Sequence, residues 1–155
     1  MADAVEARIT DDALDPRAEF DAFLAALGGE GGVATFTGLA RPSSIRGAAV
    51  ERLFLDHHPV LTEQSVRQIA ADARQRFGVS AVRVVHRIGE VGSGDAIVFV
   101  AAASAHRRAA FEAADYMMDR LKTQAVFWKR EDTAIGSNWI EPTEADHADT
   151  QRWSD

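Results

Sequence analysis

Apolar residues along this chain recur at two spacings, near 3.6 and near 2, and the switches between them outline the elements. After a short strand at Glu6–Thr10, Asp15-Pro16 reads as an N-cap with proline at the first helical position. Phe20, Phe23, Leu24 and Leu27 then follow at helical spacing up to Gly28-Gly29. Gly31–Gly38 and Ala49–His57 carry the β-branched, aromatic and alternating residues of strands, joined by a polar loop over Leu39–Ala48. Thr62 predicts the cap of a second helix with Val66, Ile69, Ala70, Ala73 and Phe77 on one face and Gly78 as its stop. Ala81–Ile88 and Ala96–Ala103 read as antiparallel strands flanking the glycine-rich turn GEVGSGD. A third helix is predicted from a Ser104 cap to about Thr123, its apolar face made by Ala110, Phe111, Ala114, Met117, Met118 and Leu121. Ala125–Glu131 and Asn138–Glu141 complete the strands, and the acidic tail from Thr143 is expected to be poorly ordered except at Trp153.

Several strand pairs have connections too short for parallel crossovers, so the predicted class is α+β, with a largely antiparallel sheet and about three helices. No linker or repeat divides the 155 residues, which predicts a single domain over 1–155. Lysine plus arginine number 17 against 24 acids, a net charge of −7, which argues against general binding to nucleic acid or anionic lipid. The N-terminus lacks a basic region followed by an apolar stretch, so a cytoplasmic protein without a membrane span is expected. With no cysteine, the chain offers neither a catalytic thiol nor a thiolate metal site, and any sulfur chemistry must draw its sulfur from another molecule.

Candidate chemistry begins at Ser104-Ala105-His106-Arg107-Arg108, because cations in a first helical turn oppose the positive end of the dipole. A bound phosphate or carboxylate would relieve that cost, whereas the plainer reading is exposed side chains reaching solvent or an acid. Lys122 lies near the end of the same helix, where a cation is favourable in any case. Lys129 shares a strand face with Phe127 and Glu131, compatible with a surface ion pair or with a partly desolvated amine of lowered pKa. Arg41 follows a strand and is a further candidate for an anion. The five histidines show no ligand spacing, and neither metal nor cofactor is expected. The sixteen residues between His106 and Lys122 span roughly 24 Å of helix, so either there are two sites, or one pocket is shared between two copies of the chain.

Taken together, VATFTGLAR (33–41), VVHRIGEVGSGDAIVFVAAASAHRRAAFEA (84–112), MDRLKTQAVFWKRE (118–131) and NWIE (138–141) resemble the molybdopterin synthase large, catalytic subunit family. That resemblance implies a sulfurtransferase of molybdenum cofactor biosynthesis acting on cyclic pyranopterin monophosphate. Its sulfur donor would be a small ubiquitin-like subunit with a thiocarboxylated C-terminal glycine, and its assembly a homodimer within a heterotetramer. Position by position, Lys122 and Lys129 match the family's catalytic lysines, and Arg41, His106 and Arg107 its substrate and anion-binding groups. Phe36 and Met118 fall on the expected pocket wall, and Glu131 is placed to orient Lys129. The chain departs from the usual family pattern at Leu39, at His58, in the loop Pro42–Gly47 and at Pro142-Thr143. A noncatalytic adaptor for a ubiquitin-like tail and a histidine-metal hydrolase are the competing readings.

Overall fold

A computed structural model of the chain describes residues 3–44 and 47–154, so Ile45 and Arg46 of the atypical loop lie outside the described residues, as do both extreme ends of the predicted domain. Among the described residues, two four-stranded sheets and four helices make an α+β fold. In the first sheet β1 (Val5–Thr10), β4 (Ala81–Arg87), β6 (Ala96–Ser104) and β2 (Gly32–Leu39) lie side by side, with β1 and β4 parallel and the other pairs antiparallel. The second has the order β5 (Gly89–Gly92), β3 (Val50–His57), β7 (Phe127–Thr133) and β8 (Gly136–Ile140), antiparallel throughout.

The central strands β4 and β6 are buried on both faces, which is why β6 runs almost without polar residues and why β4 interrupts its valines only with Arg83, His86 and Arg87. Alternate residues Val82, Val84, Val98, Val100 and Ala102 pack under α2 (Leu61–Phe77) and α3 (Arg107–Thr123), against Val66, Ile69, Ala70, Ala113 and Met117. On the opposite face Val85, Phe99, Ala101 and Ala103 meet Leu14 and Phe23, the latter from α1 (Pro16–Ala25). Phe99 is 2% exposed, and burying a side chain of that size contributes about 1.5–3 kcal/mol. Arg83 and Arg8 both bond Glu19 of α1, which fastens that helix across the sheet. Burial alone would raise the Glu19 carboxyl, but Arg8 and Arg83 hold it below the usual carboxylate range.

Local chemistry differs from the sequence expectation at four places. Asp15 does cap α1, accepting from the Arg17 and Ala18 N–H groups, and Gly78 ends α2 at φ 64°. Thr62, however, lies inside α2 and is fully buried; the cap is the His58 imidazole, whose Nδ1 accepts from the Val60 and Leu61 N–H groups at 3.1 and 3.0 Å. Ser104 belongs to β6, because pairing with Gly32 prolongs the strand, and His106 precedes α3 without a side-chain cap. The glycine-rich turn contains β5, recruited by the fully buried Val91, which joins Ala40, Leu53 and Leu55 in a third, smaller apolar cluster. Finally, the tail forms α4 (Glu144–Gln151), opened by a reciprocal capping box between Thr143 and Asp146. No helix among the described residues is long and apolar enough to cross a membrane.

Candidate functional site

Lys129 owes its position to α2. The Thr62 hydroxyl donates to the Val126 carbonyl at 2.6 Å, and the Ser65 hydroxyl accepts from the Val126 N–H at 3.1 Å. Val126 is thus gripped through both its N–H and its carbonyl just before β7 begins. Phe127, the next residue, stacks on His86 of β4 at 4.0 Å between ring centroids. Lys129 follows on the same side of β7, paired between Leu55 of β3 and Ile140 of β8.

Burial, two cations and one acid govern the Lys129 amine. Burial lowers its pKa most, followed by the charge of Lys122; Asp146 acts in the opposite direction, and Arg41 adds to the lowering. Lys122 stands near the end of α3, with its Nζ 3.6 Å from an Asp146 carboxylate oxygen. Arg41 is held by its neighbours, since the Ala40 N–H donates to the Asp95 carbonyl and the Val50 N–H to the Pro42 carbonyl. His86 is fully buried and pushed down to about 3, first by burial and then by Lys129. It is therefore neutral, and the proton sits on Nδ1, where it is donated to the Arg87 carbonyl at 2.8 Å. Lys122 and Lys129 are the chain's two lysines, every other basic side chain apart from histidine being arginine.

Lys122, Lys129 and Arg41 are therefore neighbours, and Met118, partly buried against the core under α3, precedes Lys122 by one helical turn. Phe36 lies on β2, on the same sheet face as Ala34 under α3, and is half exposed. Glu131 lies on the Lys129 side of β7, yet among the described residues no hydrogen bond or ion pair joins the two. His106 and Arg107 stand apart at the other end of α3, where with Arg108, Phe111 and Glu112 they line an open hollow of about 320 Å³. The intervening helix is 17 residues long, so a single chain does not bring its two ends to one small ligand. Among the described residues, no group of three or more histidine or acidic side chains is placed to hold a metal ion.

Two residues escaped the sequence reading. Asp146 was hidden in a tail expected to lack order, although Thr143-Glu144-Ala145-Asp146 carries the spacing of a capping box. As a sequence feature, His86 enters only as a metal ligand, with His57 and His106, in the competing hydrolase reading, and its role here was missed because only the fold reveals that it lies beneath β7.

Residues 9–124 match the family described as MoaE protein. The chain belongs to that family, which is that of the molybdopterin synthase catalytic subunit. Among its MoaE relatives, the molybdopterin synthase catalytic subunit of Caulobacter vibrioides is 47% identical over 145 residues, covering 94% of this chain and 95% of its own length. The protein of the same name from Yersinia pestis is 49% identical over 124 residues, 80% of this chain and 82% of its own. The solved structure of a molybdopterin biosynthesis MoaE protein from Burkholderia ambifaria superposes with a TM-score of 0.81 at 36% identity, covering 97% of this chain and 99% of that one.

Proposed function

We propose that this MoaE-family chain is a cytoplasmic sulfurtransferase of molybdenum cofactor biosynthesis. It moves sulfur from the C-terminal thiocarboxylate of a small ubiquitin-like subunit to cyclic pyranopterin monophosphate, forming the dithiolene of molybdopterin. The observation that carries this reading is the meeting of two lysines and Arg41 at one place, with Lys129 lowered by burial and by its cationic neighbours. A buried amine of lowered pKa is suited to proton transfer near neutral pH, and flanking cations stabilise the negative charge that develops as a thiocarboxylate attacks.

In this reading the carrier's thiocarboxylate sulfur displaces an oxygen from a side-chain carbon of the pterin. The new carbon–sulfur bond forms as that carbon–oxygen bond breaks and the oxygen leaves with its electron pair, while the sulfur is still acylated by the glycine carbonyl carbon. One thiocarboxylate is consumed for each sulfur. Water then adds its oxygen to the glycine carbonyl carbon, the bond from that carbon to sulfur breaks, and the sulfur stays with the pterin. Lys129 takes the proton that the water releases, and Lys122 and Arg41 face the developing charge. Phe36 and Met118 wall the pocket, and Glu131 orients Lys129 by its charge from the same strand face. His106 and Arg107 bind the substrate's phosphate from a second copy of the chain, so the working unit is a homodimer with a small subunit on each copy. The chemistry draws on no resident metal or cofactor.

The test is turnover of cyclic pyranopterin monophosphate with the thiocarboxylated small subunit, against the same mixture containing its plain carboxylate. Lys122→Ala and Lys129→Ala are each expected to lose at least about 100-fold in kcat with folding intact, the usual worth of a positioned acid or base. Carrier binding without dithiolene formation, or wild-type rates in either variant, overturns the reading.

A further inference from the structure

Helix α4 approaches the lysines with a single acid turned toward them. The Asp146 side chain is only 20% exposed, and one of its oxygens lies 3.6 Å from Lys122 Nζ. Its other oxygen accepts from the Thr143 N–H at 2.9 Å, so the carboxylate is fixed rather than free to turn. Past the other end of α4, the Trp153 indole N–H and Arg152 both donate to the buried Asp119 of α3 at 2.7 Å, and the Trp153 ring meets Phe77 and Tyr116 edge-on. The helix is thus held at both ends, with Asp146 beside the lysine pair.

We propose that Asp146 is a positioning residue, the fixed counter-ion that Lys122 and Lys129 share, and that it keeps the Lys129 amine protonated against the neighbouring cations. The groups that face Lys129 are Lys122 from α3, Asp146 from α4, Arg41 from the loop after β2 and the neutral His86 from β4. Glu131 flanks Lys129 along β7 itself, but Asp146 is the acid that faces it from another element and offsets the cations, so without it the Lys129 amine sheds its proton at lower pH. Burial alone would raise the Asp146 carboxyl, but the Thr143 N–H and the charge of Lys122 hold it below the usual range, and it remains ionised near neutral pH. A hydrogen bond from a backbone N–H and a charge from a lysine are different demands on one carboxylate, which makes them separable by substitution.

The experiment uses the chain's two lysines as their own reporters. Protein carrying ¹³C- and ¹⁵N-labelled lysine gives two side-chain signals, which can be followed through a pH titration. Asp146→Asn keeps an oxygen for the Thr143 N–H and removes the charge; it is expected to move the Lys129 midpoint to lower pH, raising the free-amine fraction at fixed pH by about threefold or more. Asp146→Glu keeps both charge and capping box and is expected to restore the wild-type midpoint. An unchanged Lys129 midpoint in Asp146→Asn overturns the assignment, as does a shift that Asp146→Glu fails to reverse.

Only the kinetic arm rests on the sulfur-transfer reading above: the alkaline-going limb of the pH–rate profile should move with the Lys129 midpoint. If the lysine signal moves and the rate profile does not, the assignment of Asp146 stands and the proton-transfer role of Lys129 falls.

Discussion

Replacing Trp153 with alanine removes the fastening of α4, and the structure sets the size of the effect. The indole loses edge-to-face contacts with Phe77 and Tyr116 at 5.4 and 5.7 Å, each worth about 0.5–1.5 kcal/mol. It also loses a hydrogen bond to the charged Asp119, worth about 1.5–3 kcal/mol, although Arg152 still reaches that carboxylate. Together these approach about 4 kcal/mol, but α4 packs on α3 and can let go while the rest stays folded. The cost to the whole chain therefore stops at the docking free energy of the helix, which we expect to be about 2–3 kcal/mol after the entropy regained by the freed residues. For a chain of this length that lowers Tm by roughly 5–10 °C. Amide hydrogen exchange followed by mass spectrometry separates the two levels: in Trp153→Ala, residues 143–153 should exchange far faster while β4 and β6 keep their protection. Wild-type exchange in that segment together with an unmoved Tm would refute the argument that Trp153 holds the helix.

Two further perturbations probe the frame around the site. His86 titrates at about 3 in the folded chain against about 6.5 when unfolded, so the unfolded state binds more protons across that window and stability falls as pH drops through it. Denaturant unfolding from pH 7 to 4 should show His86→Asn losing less stability on acidification than wild type, by up to about 1.4 kcal/mol per pH unit; parallel curves would show that His86 charges freely. A methyl group at Gly31 would meet the Ala105 carbonyl oxygen at 2.3 Å, so Gly31→Ala must displace the backbone leading into His106 and Arg107. It is expected to cost about 1–3 kcal/mol by thermal unfolding and to raise KM for the phosphate-bearing substrate, whereas an unchanged melting curve would show that this approach relaxes cheaply.

Much of the frame was legible because burial imposes period. The doubly buried β4 and β6 and the apolar stripes of α2 and α3 follow directly from where water is excluded. Capping was less legible, since Thr62 and Ser104 have the side chains of caps but are claimed by other partners, Val126 in one case and strand pairing with Gly32 in the other. Short β5 was missed because a strand four residues long carries too little alternation to outweigh its glycines. At the site, the motifs singled out Lys122 and Lys129, and helix length alone separated His106 from Lys122. What brings Arg41, Lys129 and Asp146 together is contact between segments far apart in sequence, and no local pattern encodes that.

The restriction of lysine to two positions also bears on how the protein responds to amine-directed reagents. An acylating agent that modifies free amines leaves guanidinium groups untouched, so the side chains it can reach are Lys122 and Lys129. Each modification is therefore one made at the site, apart from that of the α-amino group, which peptide mapping separates. Covalent labelling of the whole protein becomes a local measurement, and a loss of stability on amine modification can be traced to two side chains rather than to a surface full of them.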